Sequence, residues 1–417
     1  MREMKDSGVP WIGEIPTCWK LLRNKNAFIC SKEIVGAKSS TTQLLSLTTK
    51  GIKEKGQDIV GGKVPESFDT YQSVRHGQLV LCLFDLDCSA VFSGLSPFDG
   101  MISPAYKVVD CKAGMHPSYA SYWFSSVFDG RKFMHYAKNL RYTLTYDEFA
   151  VLPIAIPSYE EQGRIAIFLD ARCAEIDSVL DATRASVEEY KKLKQSVITE
   201  TVTKGIRGNR PMKETGVEWI GEIPAEWDVI KIKWLLKERN DRSDNGSEEP
   251  LSMSQKYGII PTNELDTVPN MASSFVGAKL VSKGDLVFNK LKAHLGVFAV
   301  SEFDGLVSPD YAVYYSAGRC DVKYLERIFK TPQYISEFRK RSTGVGAGLT
   351  RLYTSDLFDM YTALPSETEQ KEIAAYLGVK CAAIDSLIAS KEALITELET
   401  YKKSLIYEYV TGKKEVL

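Results

Sequence analysis

The feature that most constrains this chain of 417 residues is an internal duplication with a displacement of 208 residues. Residues 4–19 and 212–227, called the Trp motif here, are identical at eleven of sixteen positions and contain two tryptophans in each copy. The pattern Pro-Ser-X-X-Glu-Gln at 157–162 recurs at 365–370 with the same displacement. Because twice 208 is almost the whole length, the chain is predicted to contain two copies of one unit, each with a Trp motif, a globular body and a long helix.

A long helix is predicted to begin after Pro157. Ser158 is a typical N-cap, and Glu160 and Glu161 would lie in the first turn, where the helix dipole favours negative charge. Lys204 and the glycine that follows it suit the end of the helix. At about 1.5 Å per residue the helix would be roughly 65 Å long, which predicts a spacer.

The second long helix, after Pro365, has the same register and is the expected partner of the first. Apolar residues separated by threes, fours and their multiples predict a seam between the two helices. Arg172, Thr183 and Lys194 interrupt it, so the coiled coil is expected to be imperfect. The predicted seam residues are Ile165, Leu169, Ile176, Val179, Val187, Tyr190 and Val197 in the first helix and Ile373, Leu377, Ile384, Leu387, Leu394, Leu398 and Leu405 in the second.

The two bodies, residues 20–150 and 228–358, share landmarks in the same order. Turns at Gly77 and Gly284 each lead into an apolar run that is typical of a buried strand. Short β-rich runs alternate with helical segments such as Tyr119–Phe128. The predicted fold class is therefore α+β, with two similar mixed α/β bodies and two long helices that pair in a coiled coil, in a tandem repeat.

The composition is that of a soluble globular protein, with 44% hydrophobic and 26% charged residues. A net charge of −1 means that any nucleic-acid surface must be local. No uninterrupted apolar run approaches the ~18–20 residues of a membrane span, and no signal peptide is evident. The eight cysteines form no Cys-X-X-Cys pair, which favours reduced thiols in a cytoplasmic protein over a zinc site.

The polar loops of the two bodies differ where the scaffold repeats. After the Gly77 turn the first body carries Asp85 and Asp87, whereas after the Gly284 turn the second carries Lys290 and Lys292. A carboxylate can accept a hydrogen bond from cytosine N4, and lysine can reach base acceptors or phosphates. Divergent loops on a repeated scaffold are expected of two modules that read two different targets.

Basic clusters near the end of each body are the best candidates for phosphate contact, although a charge run is more often a solvated face. In the second body, residues 339–341 (Arg-Lys-Arg) precede a glycine-rich stretch at 344–348, whose backbone could approach a ligand closely. That stretch is not a nucleotide loop, because no Lys-Ser or Lys-Thr follows it.

No catalytic centre is predicted. Asp310, Asp321 and Lys323 could be combined into a metal nuclease site, but Ala105 replaces Asp310 in the first body. The sequence lacks the Asn-Pro-Pro-aromatic motif of methyltransferases, a Ser-His-Asp set and paired acid/base carboxylates. The four histidines have no metal-ligand spacing.

Two patterns resemble those of the specificity subunit of type I restriction–modification enzymes. One, within the Trp motif, is Gly-Val-X-Trp-Ile-Gly-Glu-Ile-Pro-X-X-Trp at 8–19 and 216–227, and the other is the Pro-X-X-X-X-Gln start of each long helix. The resemblance covers the whole chain. In that family two target-recognition domains each read one half of a bipartite, asymmetric DNA site. A pair of long antiparallel helices fixes the spacer between the halves, and the subunit has no active site of its own.

The resemblance implies partners and cofactors. The partners are double-stranded DNA, two methyltransferase (modification) subunits and restriction subunits, with no membrane. This chain would bind no cofactor, since S-adenosylmethionine would lie in the methyltransferase subunits and ATP and Mg²⁺ in the restriction subunits. The implied domains are target-recognition domain 1 at 1–157, a central long helix at 158–207, target-recognition domain 2 at 208–364 and a C-terminal long helix at 365–417.

Candidate site residues follow from residue type and position. Nine basic residues are predicted DNA contacts: Lys50, Lys138, Arg141, Lys256, Lys290, Lys292, Arg339, Arg341 and Arg351. Four residues at the helix starts are predicted to bind partner subunits: Gln162, Ile165, Gln370 and Ile373. Two alternatives remain open, a coiled-coil scaffold that binds only protein and a duplicated metal-dependent nuclease.

Overall fold

A computed structural model of the chain describes residues 2–56, 67–129, 131–132, 136–137, 142–254, 257–265, 274–344 and 350–416. The chain divides into two units, and the division falls inside both long helices. Unit 1 comprises Met1–Arg184 and Ala393–Leu417, and unit 2 comprises Ala185–Glu392.

The elements follow the predicted repeat. In the first half the strands are β1 (Met4–Asp6), β2 (Glu14–Pro16), β3 (Lys20–Arg23), β4 (Phe28–Ser31), β5 (Leu44–Thr48), β6 (Gly51–Lys55), β7 (Gln72–Val74), β8 (Leu79–Leu81), β9 (Ser93–Leu95), β10 (Gly100–Ile102), β11 (Lys107–Cys111) and β12 (Pro153–Ile156). The helices are α1 (Asn24–Ala27), α2 (Pro117–Asp129), α3 (Tyr146–Val151) and the long α4 (Tyr159–Lys204).

The second half repeats this order. Its strands are β13 (Met212–Glu214), β14 (Glu222–Pro224), β15 (Asp228–Lys231), β16 (Leu236–Arg239), β17 (Leu251–Ser254), β18 (Gly258–Pro261), β19 (Lys279–Val281), β20 (Leu286–Asn289), β21 (Phe298–Val300), β22 (Gly305–Val307), β23 (Tyr311–Ser316), β24 (Thr343–Gly344), β25 (Thr350–Arg351) and β26 (Tyr361–Leu364). Its helices are α5 (Val322–Phe329), α6 (Pro332–Arg341), α7 (Thr354–Phe358) and the long α8 (Glu367–Val410).

A four-stranded sheet has the same strand order in both bodies, β4-β11-β8-β9 in the first and β16-β23-β20-β21 in the second. Its central strand is apolar on both faces because a hydrophobic cluster lies on each side. In β8, Leu79 and Leu81 face the main core of unit 1, whereas Val80 faces a smaller cluster. The predicted mixed α/β class and the internal repeat are confirmed.

Within each unit the long helices pack antiparallel. In unit 1, Asp177 of α4 pairs with Lys402 of α8 at 2.6 Å. In unit 2 the repeat image of this pair joins Lys194 of α4 to Asp385 of α8 at 2.7 Å. Arg184, which follows Asp177 on α4, pairs with Glu399, which precedes Lys402 on α8. The order of these two pairs shows that the helices run antiparallel within unit 1.

The predicted seam was partly wrong. Val179, Leu387 and Leu394 are exposed, whereas the other predicted seam positions are buried or half-buried. On α4 the buried face runs from Ile176 through Leu180, Thr183 and Val187 instead, in successive steps of four, three and four residues. Thr183 does not interrupt the seam, because its hydroxyl donates to the carbonyl of Val179 at 2.7 Å.

Among the described residues, α8 is the single helix whose length and composition would also suit a membrane span. The expectation that no apolar run approaches a membrane span is corrected for α8, whose apolar window is 17% buried within the protein. In unit 2 the start of α8 contributes Ile373 and Leu377 to the protein core.

Each Trp motif forms a short antiparallel hairpin, β1 with β2 and β13 with β14. Its second tryptophan, Trp19 or Trp227, is buried against the start of a long helix. The indole N–H of Trp19 donates to Glu161 at 3.2 Å, and that of Trp227 donates to Glu369 at 2.9 Å. These two tryptophans therefore pack each body against the start of a long helix.

Candidate nucleic-acid interface

The two divergent segments of each body meet in space. In the first body the backbone N–H of Leu144 donates to the carbonyl of Leu83 at 2.7 Å. In the second body Leu352, displaced by 208 residues from Leu144, donates to the carbonyl of Lys290 at 3.0 Å. The loop after β8 or β20 is thereby joined to the segment that precedes α3 or α7. We call this meeting point the junction of each body.

The first junction stores backbone strain. Asp85, Arg131 and Tyr142 have φ values of +50°, +51° and +43°, a region that non-glycine residues rarely adopt. The three are linked, because Leu86 donates to the carbonyl of Tyr142 at 3.2 Å and Arg131 donates to the carbonyl of Leu86. Strain concentrated in one place is typical of functional sites.

The second junction is charged. Arg351 donates to Asp310 at 3.1 Å, and the buried Lys279 pairs with Glu238 at 3.0 Å. Lys290 lies among these four groups. Its burial, followed by the nearby charge of Lys279, lowers the pKa of Lys290 below its ordinary value. Three cations thus face two carboxylates.

The structure brings some of the predicted DNA contacts together. Lys290 and Arg351 lie at the second junction, and Lys292 is exposed on the same loop. Arg339 is exposed on α6. Arg341, on the same helix, is held by Glu337 at 3.3 Å and by the ring of Trp219, so its charge is already engaged.

The remaining predicted DNA contacts lie elsewhere. Lys50 is exposed and lies 3.8 Å from Asp181 of α4. Lys138, Arg141 and Lys256 lie outside the described residues.

The four residues predicted to bind partner subunits, at the helix starts, are buried within the chain. Gln162 accepts a hydrogen bond from the backbone N–H of His116 at 2.8 Å and donates to the carbonyl of Gly114 at 2.9 Å. Gln370 accepts likewise from the backbone N–H of Asp321 at 2.7 Å. The apolar pair, Ile165 and Ile373, is 2% and 0% exposed. These side chains hold each body on its helix.

Two tyrosines that the sequence reasoning missed have a similar positioning role. The hydroxyl of Tyr119 lies 2.8 Å from the carbonyl of Ala155 and 2.9 Å from that of Val410, near the end of α8. Tyr324 makes the equivalent pair of contacts in unit 2, at 3.2 and 3.3 Å. The sequence did contain a signal, since Tyr119 and Tyr324 are each the third residue of their helices, α2 and α5. They are 205 residues apart rather than 208, so the repeat displacement did not align them.

The residues considered for a nuclease site are not assembled into one. Lys323 pairs with Glu302 at 2.6 Å, whereas Asp310 pairs with Arg351. Within the described ranges no group of three His, Cys, Asp or Glu side chains could hold a metal ion. The arrangement of the second junction suits hydrogen-bond donation to an electronegative ligand.

Comparisons with known proteins give a consistent result. The chain is 23% identical over 280 residues to the type I restriction enzyme MjaVIII specificity subunit of Methanocaldococcus jannaschii, covering 64% of this chain and 63% of that protein. It is 26% identical over 281 residues to the putative type I restriction enzyme MjaX specificity subunit of the same organism, covering 64% and 60%. The match thus spans about six-tenths of the length of these curated relatives. No family model matches the chain.

Solved structures agree in fold. A chain from a study of complex assembly and conformational transition in the type I R-M system has a TM-score of 0.69 at 14% identity, covering 96% of this chain and 99% of that one. The HsdS subunit from Thermoanaerobacter tengcongensis has a TM-score of 0.50 at 15% identity, covering 96% and 98%. The protein therefore has the HsdS fold. Its curated homologues are type I restriction enzyme specificity subunits.

Proposed function

We propose that this chain is the DNA sequence-recognition subunit of a type I restriction–modification complex. Each body reads one half of a bipartite, asymmetric DNA site, and the paired helices set the spacer between the halves. The chain itself is non-catalytic. The observation that carries the proposal is the junction, where the segments that differ most between the repeats are joined by an equivalent backbone hydrogen bond in each body.

Differences at the junctions support reading of two different sequences. The first junction carries Asp85 and Asp87, which can accept hydrogen bonds from base amino groups, whereas the second carries Lys290 and Arg351, which can only donate. One fold that carries different hydrogen-bonding groups at its two junctions suits an asymmetric target.

Exposed apolar residues on the long helices support docking of methyltransferase subunits. Ile167 of α4 is 71% exposed and Val379 of α8 is 73% exposed, and Leu193 and Leu387 are exposed on the same two helices. Apolar side chains exposed along a helix are suited to packing against a partner helix. The S-adenosylmethionine would then be bound by the methyltransferase subunits, and ATP and Mg²⁺ by restriction subunits.

The proposal is tested by co-expressing the chain with the type I methyltransferase subunits of its host. Purification through a tag on this chain should recover the methyltransferase, and the complex should shift a duplex with its bipartite site more strongly than a random duplex. Methylated-base sequencing of the host genome supplies the site. Failure to co-purify, or equal affinity for random duplex, contradicts the proposal.

Exchange of one body tests the scaffold alternative. Replacing residues 24–152 with the equivalent body of a relative should change one half of the methylated site and leave the other half as it was. A scaffold that binds only protein would leave the methylated site unchanged.

A further inference from the structure

The charged residues of the second junction have no charged equivalents in the first body. The matching strand registers align β16 with β4, β19 with β7, β20 with β8 and β23 with β11. On this alignment Glu238, Lys279, Lys290, Asp310 and Arg351 correspond to Cys30, Gln72, Leu83, Ala105 and Thr143. All ten positions lie within the described residues.

The fold does not require these charges. The first body has the same strand order and the same backbone bond at its junction, with uncharged side chains at all five positions. Burying charged groups costs desolvation free energy, which their mutual attraction often only balances. A charged set that one body carries and its copy lacks, with no need of it for the fold, indicates a ligand for the second body.

Arg351 is held ready to donate. Its side chain is only 24% exposed, and one terminal nitrogen is fixed by Asp310. The buried Nε atom of Arg351 makes no hydrogen bond within the part of the chain that the structure describes. Lys290 lies alongside, joined to the residue after Arg351 through the backbone. An oriented guanidinium beside the ammonium group of Lys290 matches a ligand edge that carries two acceptors.

We propose that Arg351 and Lys290 read a guanine in the half-site of the second body, with Asp310 as the positioning residue that orients Arg351. Guanine is the base that presents two acceptors, O6 and N7, in the major groove, and arginine or lysine is its usual partner. The neutral set in the first body cannot read its half-site in this way. The inference rests on the proposed function and names a base for that site.

Phosphate would also attract these cations, but the two ligands differ in sequence dependence. A base contact specifies one position of the site, whereas a phosphate contact weakens binding to all sequences alike.

The first experiment sequences the methylated bases in a host that expresses the chain with its own methyltransferase subunits. The wild type should give a bipartite site with a guanine in one half. Arg351→Ala should reduce the preference for that guanine by about 10- to 100-fold and leave the other half-site unchanged. Asp310→Asn should reduce it less. Lys323→Ala, which removes a cation of the same body that pairs with Glu302, should change nothing.

The second measurement uses the wild-type protein and changes the DNA instead, so it needs no variant to fold. Binding of the wild-type complex is compared on duplexes that contain guanine or 7-deazaguanine, which lacks the N7 acceptor, at the assigned position. Affinity should fall about tenfold or more with 7-deazaguanine, and a guanine of the other half-site serves as the control.

The outcomes separate the two proposals. No bipartite site from the wild type contradicts the proposed function itself. A bipartite site with unchanged guanine preference in Arg351→Ala, a uniform loss of methylation without change in preference, or equal binding to 7-deazaguanine overturns the guanine inference alone.

Discussion

Arg210 and Glu369 form an ion pair of 2.6 Å, and their side chains are only 9% and 4% exposed. Trp227 donates to the second carboxylate oxygen of Glu369 at 2.9 Å. Arg210 also donates to the carbonyl of Lys204 at 2.7 Å. One guanidinium therefore joins the end of α4, the start of α8 and the Trp motif within unit 2.

Removal of the carboxylate should be costly. Glu369→Ala removes the buried acceptor of both Arg210 and Trp227 and leaves Arg210 only its exposed partner Glu226, so the free energy of unfolding should fall by about 1–3 kcal/mol. Urea unfolding followed by tryptophan fluorescence measures the change. Glu372→Ala is the matched control, because it removes an exposed pair with Arg207 and should cost less than about 1 kcal/mol. Equal losses for the two variants contradict this account of the ion pair.

The buried glutamine at the start of α4 should also matter for stability. Gln162→Ala leaves the backbone N–H of His116 and the carbonyl of Gly114 without this partner, which should cost about 1–3 kcal/mol for each group that stays buried. The same urea titration measures it. Glu160→Ala, an exposed change in the same turn, should be nearly neutral, and a neutral Gln162→Ala would show that other groups replace the amide.

The buried tyrosines should make stability fall at alkaline pH. Burial raises the pKa of Tyr119 and of Tyr324 well above the ordinary value of 10.0. Above about pH 10 the unfolded chain releases these protons while the folded chain retains them, so unfolding becomes easier as pH rises. Below that pH the contribution of the two hydroxyls is complete.

The Tyr119→Phe, Tyr324→Phe double variant tests this pH dependence. It should lose about 1 kcal/mol per hydroxyl at pH 8 but lose less further stability between pH 10 and 11 than the wild type. Urea unfolding at these pH values measures both effects. Tyr376→Phe, at an exposed position, is the control and should show the same loss of stability between pH 10 and 11 as the wild type. If the double variant also shows the wild-type loss, the two buried hydroxyls are not its cause.

Arg339 should contribute to DNA affinity without contributing to sequence choice. It is exposed at the end of α6, one residue from Phe338, whose burial anchors the helix. If Arg339 contacts a phosphate, Arg339→Ala weakens binding to all duplexes and lowers the slope of log affinity against log salt by about 0.9. Gel shifts at several salt concentrations measure the slope. Lys191→Ala on α4 is the control, and a change in base preference in Arg339→Ala contradicts a phosphate role.

The repeat and the helix starts were predictable because they depend on local signals. Ser158 accepts from the backbone N–H of Glu161, as its N-cap role requires, and the segments before and after it keep the displacement of 208 residues. The predicted helix Tyr119–Phe128 differs from α2 by two residues at its start and one at its end. Local chemistry and exact repetition carried these predictions.

The roles of individual side chains were harder to predict because they depend on residues distant in sequence. Gln162 and Ile165 read as surface residues of a conspicuous motif, but the body packs over them. Tyr119 contacts the carbonyl of Val410, 291 residues away, and no local pattern shows that pairing. The charge of Lys290 was visible in the sequence, whereas its neighbours Lys279 and Glu238 are brought to it only by the sheet.

The division of the chain into units sets an order for folding during translation. Unit 2 is one continuous stretch, Ala185–Glu392, and can close as soon as that stretch has left the ribosome. The core of unit 1 also includes Leu405, Ile406 and Val410. The core of the body that is synthesised first is therefore complete only after the last turns of α8 have been made. A nascent chain arrested before residue 405 exposes the surface that those turns cover.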